Sequence, residues 1–158
     1  MTDTALAVRR PSAIEPWREP DWQRLWLALR ARPWKSLAIL PAGPGARPDF
    51  ALRIAVMLSR TGMLHLGAPI QVADATRLPL ANLSAFLEEV RRCAQDGDLI
   101  IVALAPLSEN PVSLSLAQSA DTVLLCVAFE KMMVSDATKS VNQVGSSRFI
   151  GSAIFHPR

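Results

Sequence analysis

Tyrosine is missing altogether from this chain, so no phenolic hydroxyl is present to take up a phosphoryl group. Cysteine is nearly missing too. Cys93 and Cys126 are the only two, and their separation matches no metal or redox spacing. They read as reduced, buried thiols of a cytosolic protein. Histidine is limited to His65 and His156, read as a surface-loop and a tail residue. Neither accompanies a G-x-S-x-G elbow, so Ser-His-Asp catalysis has no support. Long apolar runs are also lacking: the longest, Leu99 to Leu107, is about half of the roughly 20 residues that span a bilayer. The first residues, MTDTALAVRRPSAIEPWREP, have no apolar core of the kind a secretory signal needs. The expectation is a cytoplasmic protein with no transmembrane segment, peripheral to the inner membrane only through a partner.

What is present describes one folded domain. Half of the 158 residues are apolar, which excludes wholesale disorder, and the length suffices to bury a core. The net charge of +3 hides an asymmetry. Residues 1–60 carry ten Lys/Arg against five Asp/Glu, whereas residues 61–158 carry seven against nine. A basic first half suits an anionic partner surface or a solvated face. No nucleic-acid-binding motif accompanies it, so no nucleic-acid partner is expected.

Residues 1–19 read as a flexible N-terminal tail, interrupted by Pro11 and Pro16, and residues 20–158 as a single domain. Asp21 opens a helix in which Trp22, Leu25, Trp26 and Leu29 make an apolar stripe. Short apolar strands then alternate with helical segments. The strands are Ser36–Leu40, Ile70–Ala73, Leu99–Ala103, Thr122–Ala128 and Phe149–Phe155. The helices are Asp49–Arg60, Ala81–Gln95, Val112–Ser119 and Ser135–Val144. Strands this apolar, separated by helices, imply an α/β fold with a mostly parallel sheet of about five strands, covered on both faces. Ligands of such sheets bind beyond the carboxyl ends of the strands, which singles out residues 41–49, 74–79, 104–111 and 129–135.

The first of these loops, LPAGPGARPDF, follows a strand and precedes a helix, as a phosphate cradle does. A working cradle, G-x-x-x-x-G-K-[ST], aims backbone N–H groups, a Lys and a hydroxyl at phosphates and Mg²⁺. Here Gly43, Pro44 and Gly45 are followed by Ala46, Arg47, Pro48 and Asp49. Pro48 lacks an N–H donor, and Asp49 would set a carboxylate beside a polyphosphate. Glu88 and Glu89 with Arg91 and Arg92 read as a solvated helix face. Met132 and Met133 either pack inward or form a contact surface.

The run DWQRLWLALRARPWKSLAILPAGPGARPDFALRIAVML, with the later text GDLIIVALAP, resembles the cytoplasmic kinase domain of bacterial (BY-type) tyrosine kinases, relatives of MinD and ParA. The resemblance spans about residues 20–156 and implies a three-layer, P-loop-type fold. It also implies what is lost. Aligned without gaps, the family's second loop Gly falls on Arg47, its Lys on Pro48, its Ser on Asp49 and its Thr on Phe50. Its D-x-D loop keeps Asp74 and has Thr76 for the second acid, its Walker B acid becomes Ala103, and its closing Asn becomes Phe155. The tyrosines that such kinases phosphorylate on themselves have no counterpart.

The expectation is therefore a non-catalytic pseudokinase with no cofactor and no metal, keeping a vestigial loop (Gly43, Gly45, Arg47, Pro48, Asp49) and a vestigial acid, Asp74. Asp74 alone reads as a strand-end acid capping the next turn. In the kinases an E-x-x-R-x-x-R helix assembles subunits; Asp21 and Arg24 keep its first two positions and Leu27 replaces the third. Asp21, Arg24, Trp22 and Trp26 are accordingly the candidate interaction residues, with self-association open and the tryptophans equally readable as core. The implied partner is a membrane polysaccharide co-polymerase or a related export component. Two alternatives stay open: a positioning factor of the ParA/MinD type for pilus, cellulose or division machinery, and a repurposed enzyme site at Arg47, Asp49 and Asp74.

Overall fold

The computed structural model describes residues 16–156. Its five strands are β1 (Ser36–Pro41), β2 (Ile70–Asp74), β3 (Leu99–Ala103), β4 (Thr122–Ala128) and β5 (Phe149–Phe155). They form one sheet in the order β2-β3-β1-β4-β5, every pair parallel. The five helices are α1 (Pro20–Leu29), α2 (Phe50–Leu66), α3 (Leu83–Gln95), α4 (Val112–Ser119) and α5 (Val134–Val144). The expected three-layer α/β architecture is the one observed.

Burial follows strand position. β1 is buried along its whole length, because its neighbours take both edges and helices cover both faces. The edge strands β2 and β5 mix buried and exposed positions. One face packs Trp26 and Leu29 of α1 and Ile54 and Leu58 of α2 over Leu37, Ile39, Ile101 and Leu124. The opposite face packs Phe86 of α3, Leu116 of α4 and Val144 of α5 over Ala38, Leu40, Val102 and Val123.

α2 runs past its expected end at Arg60 to Leu66, and His65 is therefore in its last turn rather than in a loop. The cause is Gly62. A Cβ there would come within 2.6 Å of the Trp26 ring, so this glycine permits close packing of α1 rather than breaking the helix. Gly67, at φ 69°, provides the actual stop. Trp26 Nε1 donates to His65 Nδ1 at 3.3 Å, and Trp34 stands edge-on to Trp26.

Residues 1–15 of the expected tail lie outside the described residues. Pro16–Arg18, at its end, form a 3₁₀ turn held against α2. Thr61 Oγ1 donates to the Trp17 carbonyl at 2.9 Å, and the Arg60 guanidinium lies 4.5 Å from the Trp17 ring centre.

The amino ends of β1 and β4 are tied by a reciprocal set of hydrogen bonds. The backbone N–H groups of Lys35 and Ser36 donate to Asp121 Oδ2 at 2.7 and 3.2 Å, and Asp121 N–H donates to Ser36 Oγ at 2.9 Å. Arg148 adds a guanidinium donor to the carbonyls of Gln118 and Ala120.

Candidate functional site

The loop after β1 occupies the carboxyl end of the sheet, where the fold would place a ligand. Its entry is fixed from both sides. Ala42 N–H donates to the Cys126 carbonyl at 2.8 Å, and Ser140 Oγ of α5 donates to the Ala42 carbonyl at 2.8 Å. Burial in β4 pushes the Cys126 thiol well above its ordinary range, so it is an unreactive packing group.

The two loop glycines are required by the segment between β4 and α5. A Cβ on Gly43 would sit 2.6 Å from Asp136 Cβ and 2.9 Å from Asp136 Oδ2. A Cβ on Gly45 would strike the Lys131 carbonyl, and Gly45 has φ +114°, a conformation that side-chain-bearing residues rarely adopt. The 129–136 segment thus closes on the loop in van der Waals contact. It makes its own sharp turn through Glu130, at φ 64°.

Beyond Gly45 the loop is held by its own residues. Phe50 N–H donates to the Arg47 carbonyl, and Arg53 N–H donates to the Asp49 carbonyl. Asp49 stands at the N-cap position of α2 but makes no side-chain capping bond. Its carboxylate lies 3.5 Å from Arg47 Nε, and Oδ1 has no hydrogen-bond partner although it is shielded from solvent. The Arg47 side chain is 79% exposed, so this ion pair contributes little.

Asp74 ends β2, and its Oδ1 accepts from Thr76 N–H at 3.0 Å and from Thr76 Oγ1 at 2.6 Å. This acid holds its own turn. Ala103 pairs with Asp74 across the β2–β3 ladder and is fully buried. The Ala103 carbonyl accepts from Ala75 N–H at 2.9 Å.

A cleft of about 240 Å³ opens on the side of the loop away from α5. Gly43, Gly45, Arg47, Pro48 and Phe50 of the loop line it, with Thr76, Arg77, Pro106 and Glu109 from neighbouring loops. Of the residues named from the sequence, Arg47 lines this cleft and Asp74 does not, although Thr76, which donates to Asp74, does. Asp49 does not line it. Arg77 and Glu109 lie in two of the carboxyl-end loops expected from the sequence, 74–79 and 104–111, but were not themselves singled out, because neither lies in a motif. The closure by residues 129–136 was missed as well. Its sequence signal was the pair of glycines themselves, Gly43 and Gly45, two residues apart in one loop. Among the described residues, no three His, Cys, Asp or Glu side chains gather as metal ligands would.

Of the four interaction candidates on α1, Asp21 and Arg24 are exposed and paired at 2.9 Å, and Leu27 beside them is 56% exposed. Trp26 is core. Trp22 is half-buried and leans on Phe155 at 5.7 Å, and Phe155 meets Phe50 edge-on at 5.8 Å. This cluster joins α1, α2 and β5. Glu88 pairs with Arg91 and Glu89 with Arg92 on an exposed face of α3. The methionine pair splits. Met132 turns inward, with its sulfur accepting from Ala128 N–H, and Met133 is 69% exposed.

Comparison with solved structures decides the fold. The kinase domain of the Escherichia coli tyrosine kinase ETK matches 100% of this chain and 89% of its own length, at a TM-score of 0.64 and 14% identity. This is the fold of the bacterial tyrosine kinase domains. The chimerical protein CapA2B2 matches 90% of the chain and 87% of its own length, with a TM-score of 0.65 and 13% identity. The BceF tyrosine kinase domain matches 82% and 72%, with a TM-score of 0.58 and 12% identity. No family model matches the chain, and no curated protein matches it at a significant level. In this kinase-type fold the loop after β1, the end of β3 and the turn after β2 meet at one end of the sheet, where Gly43–Asp49, Ala103 and Asp74 stand. Among the described residues, no helix is long and apolar enough to cross a membrane.

Proposed function

We propose that this chain is a non-catalytic member of the tyrosine-kinase fold, acting in the cytoplasm as a scaffold or regulator of a bacterial exopolysaccharide synthesis and export complex. The observation that carries the reading is the loop after β1. Its glycines serve contacts with Asp136 and Lys131, and its helix-side residues are Arg47, Pro48 and Asp49. These residues do not fit a magnesium nucleotide. Pro48 offers neither an N–H nor a charge, Asp49 offers a carboxylate in place of a hydroxyl, and buried Ala103 offers no acid to order the metal. ETK and BceF are tyrosine kinases, and a relative stripped of that chemistry keeps a fold suited to sit in the same assemblies.

Binding would then fall to α1, with its exposed Asp21, Arg24 and Leu27, and to the carboxyl-end loops. Isothermal titration with ATP·Mg and with ADP·Mg is expected to give no heat of binding. A micromolar dissociation constant for either would sink the reading. Co-purification with the cytoplasmic tails of a membrane polysaccharide co-polymerase, weakened by an Arg24→Glu substitution, tests its positive half.

A further inference from the structure

We infer that β5 is a dimerisation edge, adding antiparallel to β5 of a second copy of this chain about a two-fold axis at Ala153. β5 is the last strand of the sheet, so one of its sides has no neighbour among the described residues. Phe129 N–H donates to the Phe155 carbonyl at 2.8 Å, which turns Phe155 toward β4. Alternate residues of a parallel strand face the same neighbour, so Ala153 and Gly151 also bond to β4. Ser152 and Ile154 therefore aim their N–H and C=O groups outward. Exposed edges are normally blunted with charge, proline or extreme shortness. FIGSAIF has no charged residue and no proline over its seven residues, and Ile154 on it is 61% exposed.

The sequence of this edge favours its own copy as the occupant. Pairing centred on Ala153 sets Ser152 opposite Ile154 of the second copy, and these are the residues whose backbone groups are free. Each such pair exchanges two hydrogen bonds, and the symmetry repeats it. Gly151 then lies opposite Phe155 of the second copy. A Cβ on Gly151 would meet nothing within 4 Å, so no group of the same copy stands between the two strands at this position. No charge enters the β5–β5 contact. The other edge, β2, does not share this property: a two-fold pairing about Val72 would set Ile70 against the exposed carboxylate of Asp74. Next to β5, Phe129 is 41% exposed and extends the apolar surface at its carboxyl end.

Sedimentation of the full chain over a range of concentrations should show a monomer–dimer equilibrium. Ile154→Lys should raise the dimer Kd at least about tenfold, and Ser152→Pro, which removes an outward N–H, should do the same. Gln71→Lys on the β2 edge should leave the Kd unchanged. In a Cys93→Ser background, Ala153→Cys should form a disulfide-linked dimer on mild oxidation, because two-fold pairing sets the two residues face to face. A chain that stays monomeric at every concentration overturns the inference. So does a dimer indifferent to both edge substitutions, or one whose Ala153→Cys form does not cross-link. Should a segment of the same chain or an unrelated peptide occupy the edge instead, the amides of Ser152 and Ile154 would resist hydrogen exchange in the monomer, and that result too overturns it.

Discussion

Asp121 and Asp49 stand at opposite ends of the same sheet and show how differently those ends are held. At the amino end, Asp121 receives two backbone N–H groups from the start of β1 and returns a donor to Ser36. At the carboxyl end, Asp49 stands where a capping residue would stand and caps nothing. There closure comes from shape: Gly43 against Asp136, and Gly45 against the Lys131 carbonyl. Hydrogen bonds between side chain and backbone secure the amino end. At the carboxyl end, glycine packing against Lys131 and Asp136 closes one side of the β1 loop, and the cleft lined by Arg47, Arg77 and Glu109 opens on the other.

The comparison breaks first if the carboxyl end is wetter than its packing implies. Ala103→Asp, which places an acid at the carboxyl end of β3, tests this. Ala103 is fully buried, and an uncompensated carboxylate in such a site costs about 3–5 kcal/mol. Urea denaturation should register a loss of that size, with no nucleotide binding gained. A loss below about 1 kcal/mol would mean that water or a cation reaches the end of β3, and the scaffold reading would fail with it.

Gly45→Ala comes next. The substitution meets both a φ of +114° and the Lys131 carbonyl, and a backbone forced into a sparsely populated region costs about 1–3 kcal/mol. An unfolding free energy lowered by about 2 kcal/mol, accompanied by faster hydrogen exchange across residues 129–136, would show that loop and segment are one closed unit. Exchange unchanged in that segment would separate them.

Asp121→Ala probes the amino end. Two N–H groups lose their acceptor, but Lys35 and Asp121 are exposed and water replaces part of what is lost. The expected cost is about 1 kcal/mol. Asp121→Asn keeps an acceptor oxygen and should recover most of it.

These differences explain what could be read from the sequence. β3, β4, β5 and α4 run between the residues expected, and the runs LIIVA, TVLLCVA and FIGSAIF each start directly after a charged residue, Asp98, Asp121 and Arg148. The order of strands across the sheet does not reside in any local pattern, so the loops 74–79 and 104–111 could be named but not the meeting of Arg77 and Glu109 at one cleft. The length of α2 was not legible: Gly62 lies within the helix under the Trp26 ring, and that contact is set by α1, far back along the chain. AGPG was legible as a Gly/Pro loop between a strand and a helix. Its present use was not, since Asp136 and Lys131 lie far along the chain.

Asp49→Ala carries the smallest expected effect and the sharpest contrast. An aspartate that caps a helix contributes typically about 1 kcal/mol, through a bond from its carboxylate to a backbone N–H. Asp49 has the position and lacks the bond, and its ion pair with Arg47 is exposed at 3.5 Å. What remains is the attraction of a carboxylate to the start of α2, a few tenths of a kcal/mol and weaker in salt. Asp49→Ala should therefore shift stability by less than about 0.5 kcal/mol. Arg47→Ala should do no more, and the double substitution should equal the sum of the two within about 0.3 kcal/mol. A loss near 1 kcal/mol for Asp49 alone, insensitive to salt, would mean that it caps α2 in solution. The two ends of the sheet would then be held by the same kind of contact, and the carboxyl-end loop would have to be redrawn around a working cap.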